Sequence, residues 1–183
     1  MSPFRPAPDP DLPDEAEQTL VSSGRRSEAE VLVERLRELG WTVGVAESLT
    51  GGLVVASLVA VPGASAVVRG GIVAYATELK ATLLGVDQVL LDAHGPVNER
   101  VARQMARGAR RALGAPDRPA DIGIATTGIA GPDSPDGQPV GTVHIAVSTS
   151  LGSRVESLQL EGDREQIRTA AAVRAISFAL EAL

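Results

Sequence analysis

The spacing of apolar residues changes period several times along the chain, and each change marks an element. Ser27 followed three residues later by Glu30 is a capping-box signature, and Val31, Leu32, Leu36 and Leu39 then mark one helix face that stops at Gly40. Trp41 to Ala46 reads as a short buried strand. From there the periods alternate: a helix near 51–60, a strand over 70–76, helical turns through 77–93, a helix over 98–113 capped by Asn98, and a strand over 121–127. Two further strands, 140–148 and 154–160, are separated by a short Leu-Gly-Ser turn and so must run antiparallel, after which Asp163 caps a last helix. This alternation predicts an α/β fold: a three-layer αβα sandwich with a mixed, mainly parallel sheet of about five or six strands. Residues 1–26 hold five of the twelve prolines and few large apolar residues, the composition of a disordered tail, which leaves 27–183 as one domain.

Composition narrows the chemistry. There is no cysteine, so thiolate metal sites, disulfides and thiol redox chemistry are excluded. The N-terminus lacks a basic start with an apolar stretch, and no apolar run approaches about 18 residues, so the expectation is a cytoplasmic protein with no membrane partner. A net charge of −6 and only four aromatic residues argue against nucleic acid as a partner. Arg100, Arg103, Arg107, Arg110 and Arg111 follow near-helical spacing and read as a solvated helix face rather than a phosphate-binding surface. Of the 17 basic residues one is lysine, Lys80. Arginine cannot give up its proton at ordinary pH, whereas a buried lysine can be tuned towards neutrality and act as a base, which singles out position 80. A lone lysine on a solvated helix turn is the other reading.

Three glycine-bearing loops follow predicted strand ends, where ligands bind in open α/β sheets. The first, Ala46-Glu47-Ser48-Leu49-Thr50-Gly51-Gly52, leads from strand to helix and suits a nucleophile backed by free backbone N–H groups; a helix cap by Ser48 or Thr50 is the equal alternative. The second, Gly70 to Lys80, brings the only tyrosine, Tyr75, within five residues of the only lysine, although an ordinary surface tyrosine fits as well. The third runs through Thr126, Thr127 and Gly128 to Pro132 and on to Pro139; its length favours a functional or disordered loop over a plain connection, and its threonines and glycines suit a phosphate or ribose. Arg164, in the first turn of the last helix, is unfavourable to the helix dipole and suits an anion. Neither His94 nor His144 stands in triad spacing, so a serine–lysine pair is the hydrolytic arrangement that fits. No H-x-x-x-H, D-x-D-x-D or P-loop is present, and neither metal nor cofactor is expected.

Read in order, AESLTGG, VPGAS, GGIVAYATELK, LLGV, TGIAGP, PVGTV and GDREQIR resemble the C-terminal domain of the competence- and damage-inducible CinA family over residues 28–183. Family members include deamidases that convert nicotinamide mononucleotide to nicotinate mononucleotide and ammonia. The resemblance implies that activity, with Ser48 as nucleophile, Lys80 as its base and Tyr75 assisting. It also implies a nucleotide substrate held by Glu47, Thr50, Gly51, Gly52, Thr127, Gly128 and Arg164, and a homodimer. Leu49 stands where the family usually has cysteine, Ala76-Thr77 where it has Ser-Asn, and Gln138 where it has lysine. These departures bear on rate and substrate preference, and they motivate a second expectation: a nucleotide-binding or adaptor protein, linked to competence or DNA damage, that has lost efficient catalysis. The domain fused ahead of this one in longer members is not part of the sequence, and any pyrophosphatase activity tied to it is expected to be missing.

Overall fold

A computed structural model describes residues 26–134 and 137–183, so all but the last residue of the expected tail lies outside it. The first helix, α1 (Glu28–Leu39), starts on the capping box: Glu30 N donates to Ser27 Oγ at 3.2 Å, and Ser27 N to Glu30 Oε2 at 2.6 Å. Its buried stripe is Ala29, Leu32, Val33 and Leu36: Leu32 and Leu36 are on the expected face, whereas Val31 is exposed and Leu39 half-buried. Then follow β1 (Val43–Glu47), α2 (Leu53–Val59), β2 (Val68–Val73), α3 (Thr77–Leu84), α4 (Gln88–His94), α5 (Glu99–Ala112), β3 (Ile122–Gly128), β4 (Thr142–Thr149), β5 (Gly152–Gln159) and α6 (Arg164–Leu180). The helical turns expected over 77–93 are two helices, divided where Gly85 closes α3 in the left-handed region and Asp87 caps α4.

The sheet has five strands in the order β2-β1-β3-β4-β5. Pairings β2/β1 and β1/β3 are parallel, and β3/β4 and β4/β5 antiparallel, so four of the five strands point the same way. The hairpin between β4 and β5 turns on Ser150 and Leu151, since Thr149 pairs with Gly152, rather than on the expected Leu-Gly-Ser. The expected α/β sandwich with a mixed sheet is therefore the observed one.

Helices α1, α2 and α6 cover one face of the sheet, over Val43, Val45, Ile122 and Ile124. Helices α3 and α5 lie on the other, over Ala46 and Ala125. Helix α5 comes close enough that a Cβ at Gly123 would sit 2.1 Å from Ala106 O, which is why glycine stands there. Every residue of β1 is buried, as a strand flanked by neighbours and covered on both faces must be. No described helix is long and apolar enough to cross a membrane.

Candidate active site

The three mutually parallel strands end together; β1 and β3 hand the chain to glycine loops, whereas Gly70 and Gly71 lie inside β2, which leads into Ala74-Tyr75-Ala76. Strand alternation then sorts the side chains leaving β1. Val43, Val45 and Glu47 share the α2 face, whereas Ala46 and Ser48 belong to the face carrying α3 and Lys80. One step along the backbone separates a buried carboxylate from a candidate nucleophile on the opposite side of the sheet.

Lys80 is fully buried. Its Nζ donates to Ser48 Oγ at 3.0 Å, to Ala74 O at 2.8 Å and to Tyr75 O at 3.4 Å. Burial lowers its pKa from 10.5 to about 8, partly opposed by the Glu78 carboxylate. Two carbonyls accept two N–H groups, so a neutral amine directs its lone pair at the Ser48 hydroxyl, the geometry a general base requires.

The backbone behind Ser48 differs from the expectation. Gly51 N donates to Ser48 O at 3.1 Å and Gly52 N to Glu47 Oε2 at 2.8 Å, so these two N–H groups are not available to an anion. Ser48 N donates to Thr126 O. Among the described residues the N–H groups of Leu49 and Thr50 are the ones in this loop without an acceptor. Arg168 holds their carbonyls from outside, its Nε 2.9 Å from Leu49 O and its Nη2 3.1 Å from Thr50 O.

A cavity of about 380 Å³ opens over the dyad. Of the expected residues, Ser48, Lys80, Tyr75, Thr127, Gly128 and Arg164 line it. Glu47, Thr50, Gly51 and Gly52 do not. The Glu47 carboxylate is spent on the start of α2, accepting from Gly52 N, Val54 N and Val55 N at 2.8–3.1 Å, because Gly52 offers that helix no side-chain cap. Thr50 Oγ1 bonds Thr126 Oγ1 at 2.7 Å and is fully buried. Tyr75 is 60 % exposed; its hydroxyl accepts from Arg164 Nη2 at 3.0 Å, while its carbonyl, not its ring, meets Lys80. Arg164 Nη1 donates to Gly131 O, and Thr127 Oγ1 to Pro96 O.

Sequence reasoning missed two groups. Asp133 lines the cavity in a loop singled out for other residues, and Thr77, noted as a departure from the family pattern, lines it from the start of α3. Arg168 stands in GDREQIR without an assigned role, although its place one turn after Arg164 is the signal that could have found it. Gln138 Nε2 donates to Val97 O at 2.9 Å, so it braces the cavity wall from behind. His144 lies in β4, its Nδ1 2.8 Å from Ser157 Oγ, and burial lowers its pKa against the opposing charge of Glu99. The described residues hold no cluster of side chains able to bind a metal ion.

Residues 25–183 match the CinA C-terminal domain family. A CinA-like protein of Frankia casuarinae is 53% identical over 135 residues, covering 74% of this chain and 30% of that protein. One from Anaeromyxobacter dehalogenans is 44% identical over 162 residues, 87% of this chain and 38% of its own length. The chain thus spans about a third of the length of these relatives. Among solved structures, a CinA superfamily protein of Escherichia coli superposes with a TM-score of 0.79 at 31% identity, covering 85% of this chain and 88% of the other. The competence/damage inducible protein CihA of Agrobacterium tumefaciens gives 0.76 at 34%, covering 87% and 98%.

Proposed function

The chain belongs to the CinA C-terminal domain family, and from that premise we propose that it is an amidohydrolase deamidating nicotinamide mononucleotide to nicotinate mononucleotide and ammonia. The observation that carries this reading is a buried Lys80 Nζ 3.0 Å from Ser48 Oγ, with its pKa brought to about 8. At pH 7 roughly one such lysine in ten is neutral, against one in several thousand for a free side chain.

Neutral Lys80 takes the Ser48 proton as Oγ attacks the carboxamide carbon. The N–H group of Leu49, the cavity-lining residue of this loop without a backbone acceptor, receives the oxyanion, and a well-placed donor contributes about 3–4 kcal/mol to transition-state stability. Lys80 returns its proton to the departing nitrogen, which leaves as ammonia and gives an ester on Ser48. Water, deprotonated by the again neutral Lys80, cleaves the ester to the carboxylate and frees the serine. Arg164 at the cavity rim supplies the counter-charge for the 5′-phosphate, and the Thr127–Gly128 wall meets the ribose side.

The test is to incubate the protein with nicotinamide mononucleotide and measure ammonia and the acid product beside a Ser48→Ala control. Ser48-dependent release of both supports the reading. Saturable nucleotide binding with turnover no greater than the control refutes it and supports a nucleotide-binding protein that kept the fold and lost the reaction.

A further inference from the structure

Helix α5 joins two clefts. Its N-terminal end follows Pro96 and Val97 on the wall of the active cavity. About 12–18 Å away along its axis, Arg107, Arg110 and Arg111 stand over a second hollow of about 320 Å³, closed by the β4–β5 hairpin. This hollow lies at the opposite end of β3, where Gly123 pairs with Ser148.

Each arginine has part of its guanidinium engaged. Arg107 Nε donates to Ser153 Oγ at 3.1 Å, Arg110 Nε to Ala120 O and Nη1 to Thr149 O, and Arg111 Nη2 to Leu84 O at 3.4 Å. All these acceptors are neutral, and among the described residues none of the three arginines pairs with a carboxylate. The outer nitrogens of Arg107, Nη2 of Arg110 and Nη1 of Arg111 keep donors to spare. Burial lowers the Arg110 pKa, with Asp121 opposing, so the fold itself incompletely balances this charge.

Arginines in the last turns of a helix complement its dipole, which accounts for their position. It does not account for Ser148, a hydroxyl residue that is 1 % exposed and lines the same hollow. A hydroxyl beside three guanidinium groups that have no carboxylate partner and keep donors to spare is a set of donors suited to an acceptor-rich anion.

We propose that this hollow binds a small phosphate-bearing anion, at a site separate from the catalytic cavity. A recess about the size of a nucleotide, in a chain of net charge −6, fits a compact anion better than the phosphate track of a duplex.

Calorimetric titration of the full chain with inorganic pyrophosphate at low salt tests the assignment. Saturable binding is expected, weakened about tenfold or more by Arg107→Gln with Arg111→Gln, and by a few fold in Ser148→Ala with no loss of melting temperature. Arg164→Gln should leave this binding intact. No saturation at about 10 mM overturns the proposal. So does binding that survives the paired arginine variant and Ser148→Ala but is lost in Arg164→Gln, which would place the anion in the active cavity. Tighter binding of a DNA duplex through the same arginines also overturns it, in favour of nucleic acid.

Discussion

The two ends of α5 solve the same electrostatic problem in opposite ways. At one end a single lysine is buried whole against neutral acceptors; at the other, three arginines keep free donors over an open hollow. Desolvation acts on both groups, but only the lysine can relieve it by releasing a proton within ordinary pH. The lysine end is therefore suited to moving protons and the arginine end to holding charge. This gives physical content to a composition in which one basic residue among 17 is not arginine.

The largest expected effect comes from abolishing that difference. Lys80→Met removes the proposed base and should lower turnover by about 10²–10⁴-fold. It should also alter stability in a direction worked out from the folded pKa of about 8 and the unfolded value of 10.5. Between those values the unfolded chain binds a proton that the folded chain has released, so stability rises with pH across this window. Below pH 8 the penalty is present in full, roughly 3 kcal/mol. Lys80→Met should flatten the rise in melting temperature between pH 8 and 10.5 and be no less stable than the parent at pH 7, since replacing a buried charge by an apolar side chain is often neutral or stabilising. The parent's kcat should climb with pH towards a plateau above about 8; a flat profile would break the base assignment.

Smaller effects separate binding from positioning at the lysine end. Arg168 hydrogen-bonds the carbonyls of Leu49 and Thr50, so Arg168→Gln should cost about 10–100-fold in kcat by loosening the loop that carries the proposed oxyanion donor, with KM and the pH profile nearly unchanged. Arg164→Gln should do the reverse, raising KM for the mononucleotide about tenfold and leaving a phosphate-free riboside substrate unaffected. Steady-state kinetics on both substrates distinguish the two.

Much of this site was legible because rare residue types mark it. Ser48 before two glycines, the only tyrosine, the only lysine and Arg164 at a helix start were each unusual for their surroundings, and the cavity gathers all four. What misled was the backbone. Glu47 stands beside Ser48 in sequence, yet strand alternation sends its carboxylate to the far face, where it caps α2. Gly51 and Gly52 look like free N–H donors until the carbonyl of Ser48 and the carboxylate of Glu47 claim them, a partnership without a side-chain signature. The fold was legible to its layers and mixed sheet, since period and capping are local properties. The buried stripe of α1 takes Val33 in place of Val31 because the two are equally apolar, and the packing of α1 against α6 and α2 chooses between them.

The smallest effect concerns Tyr75, whose expected role was to assist the chemistry. Its hydroxyl accepts a hydrogen bond from Arg164 at 3.0 Å, its side chain is 60 % exposed, and the contact with Lys80 runs through its carbonyl. A proton donor for the departing nitrogen must reach the reacting atoms, and one lost by substitution costs about 10²-fold or more. A hydroxyl that orients the arginine proposed to hold the phosphate costs far less, because Arg164 keeps its second anchor on Gly131 O. Tyr75→Phe should therefore raise KM about two- to fivefold, leave kcat within about twofold, and leave the activity on a riboside unchanged, as a lost neutral hydrogen bond of ~1 kcal/mol implies. A hundredfold fall in kcat would instead place Tyr75 with Lys80 among the groups that move protons, and the proton-handling end of the molecule would then contain two residues rather than one.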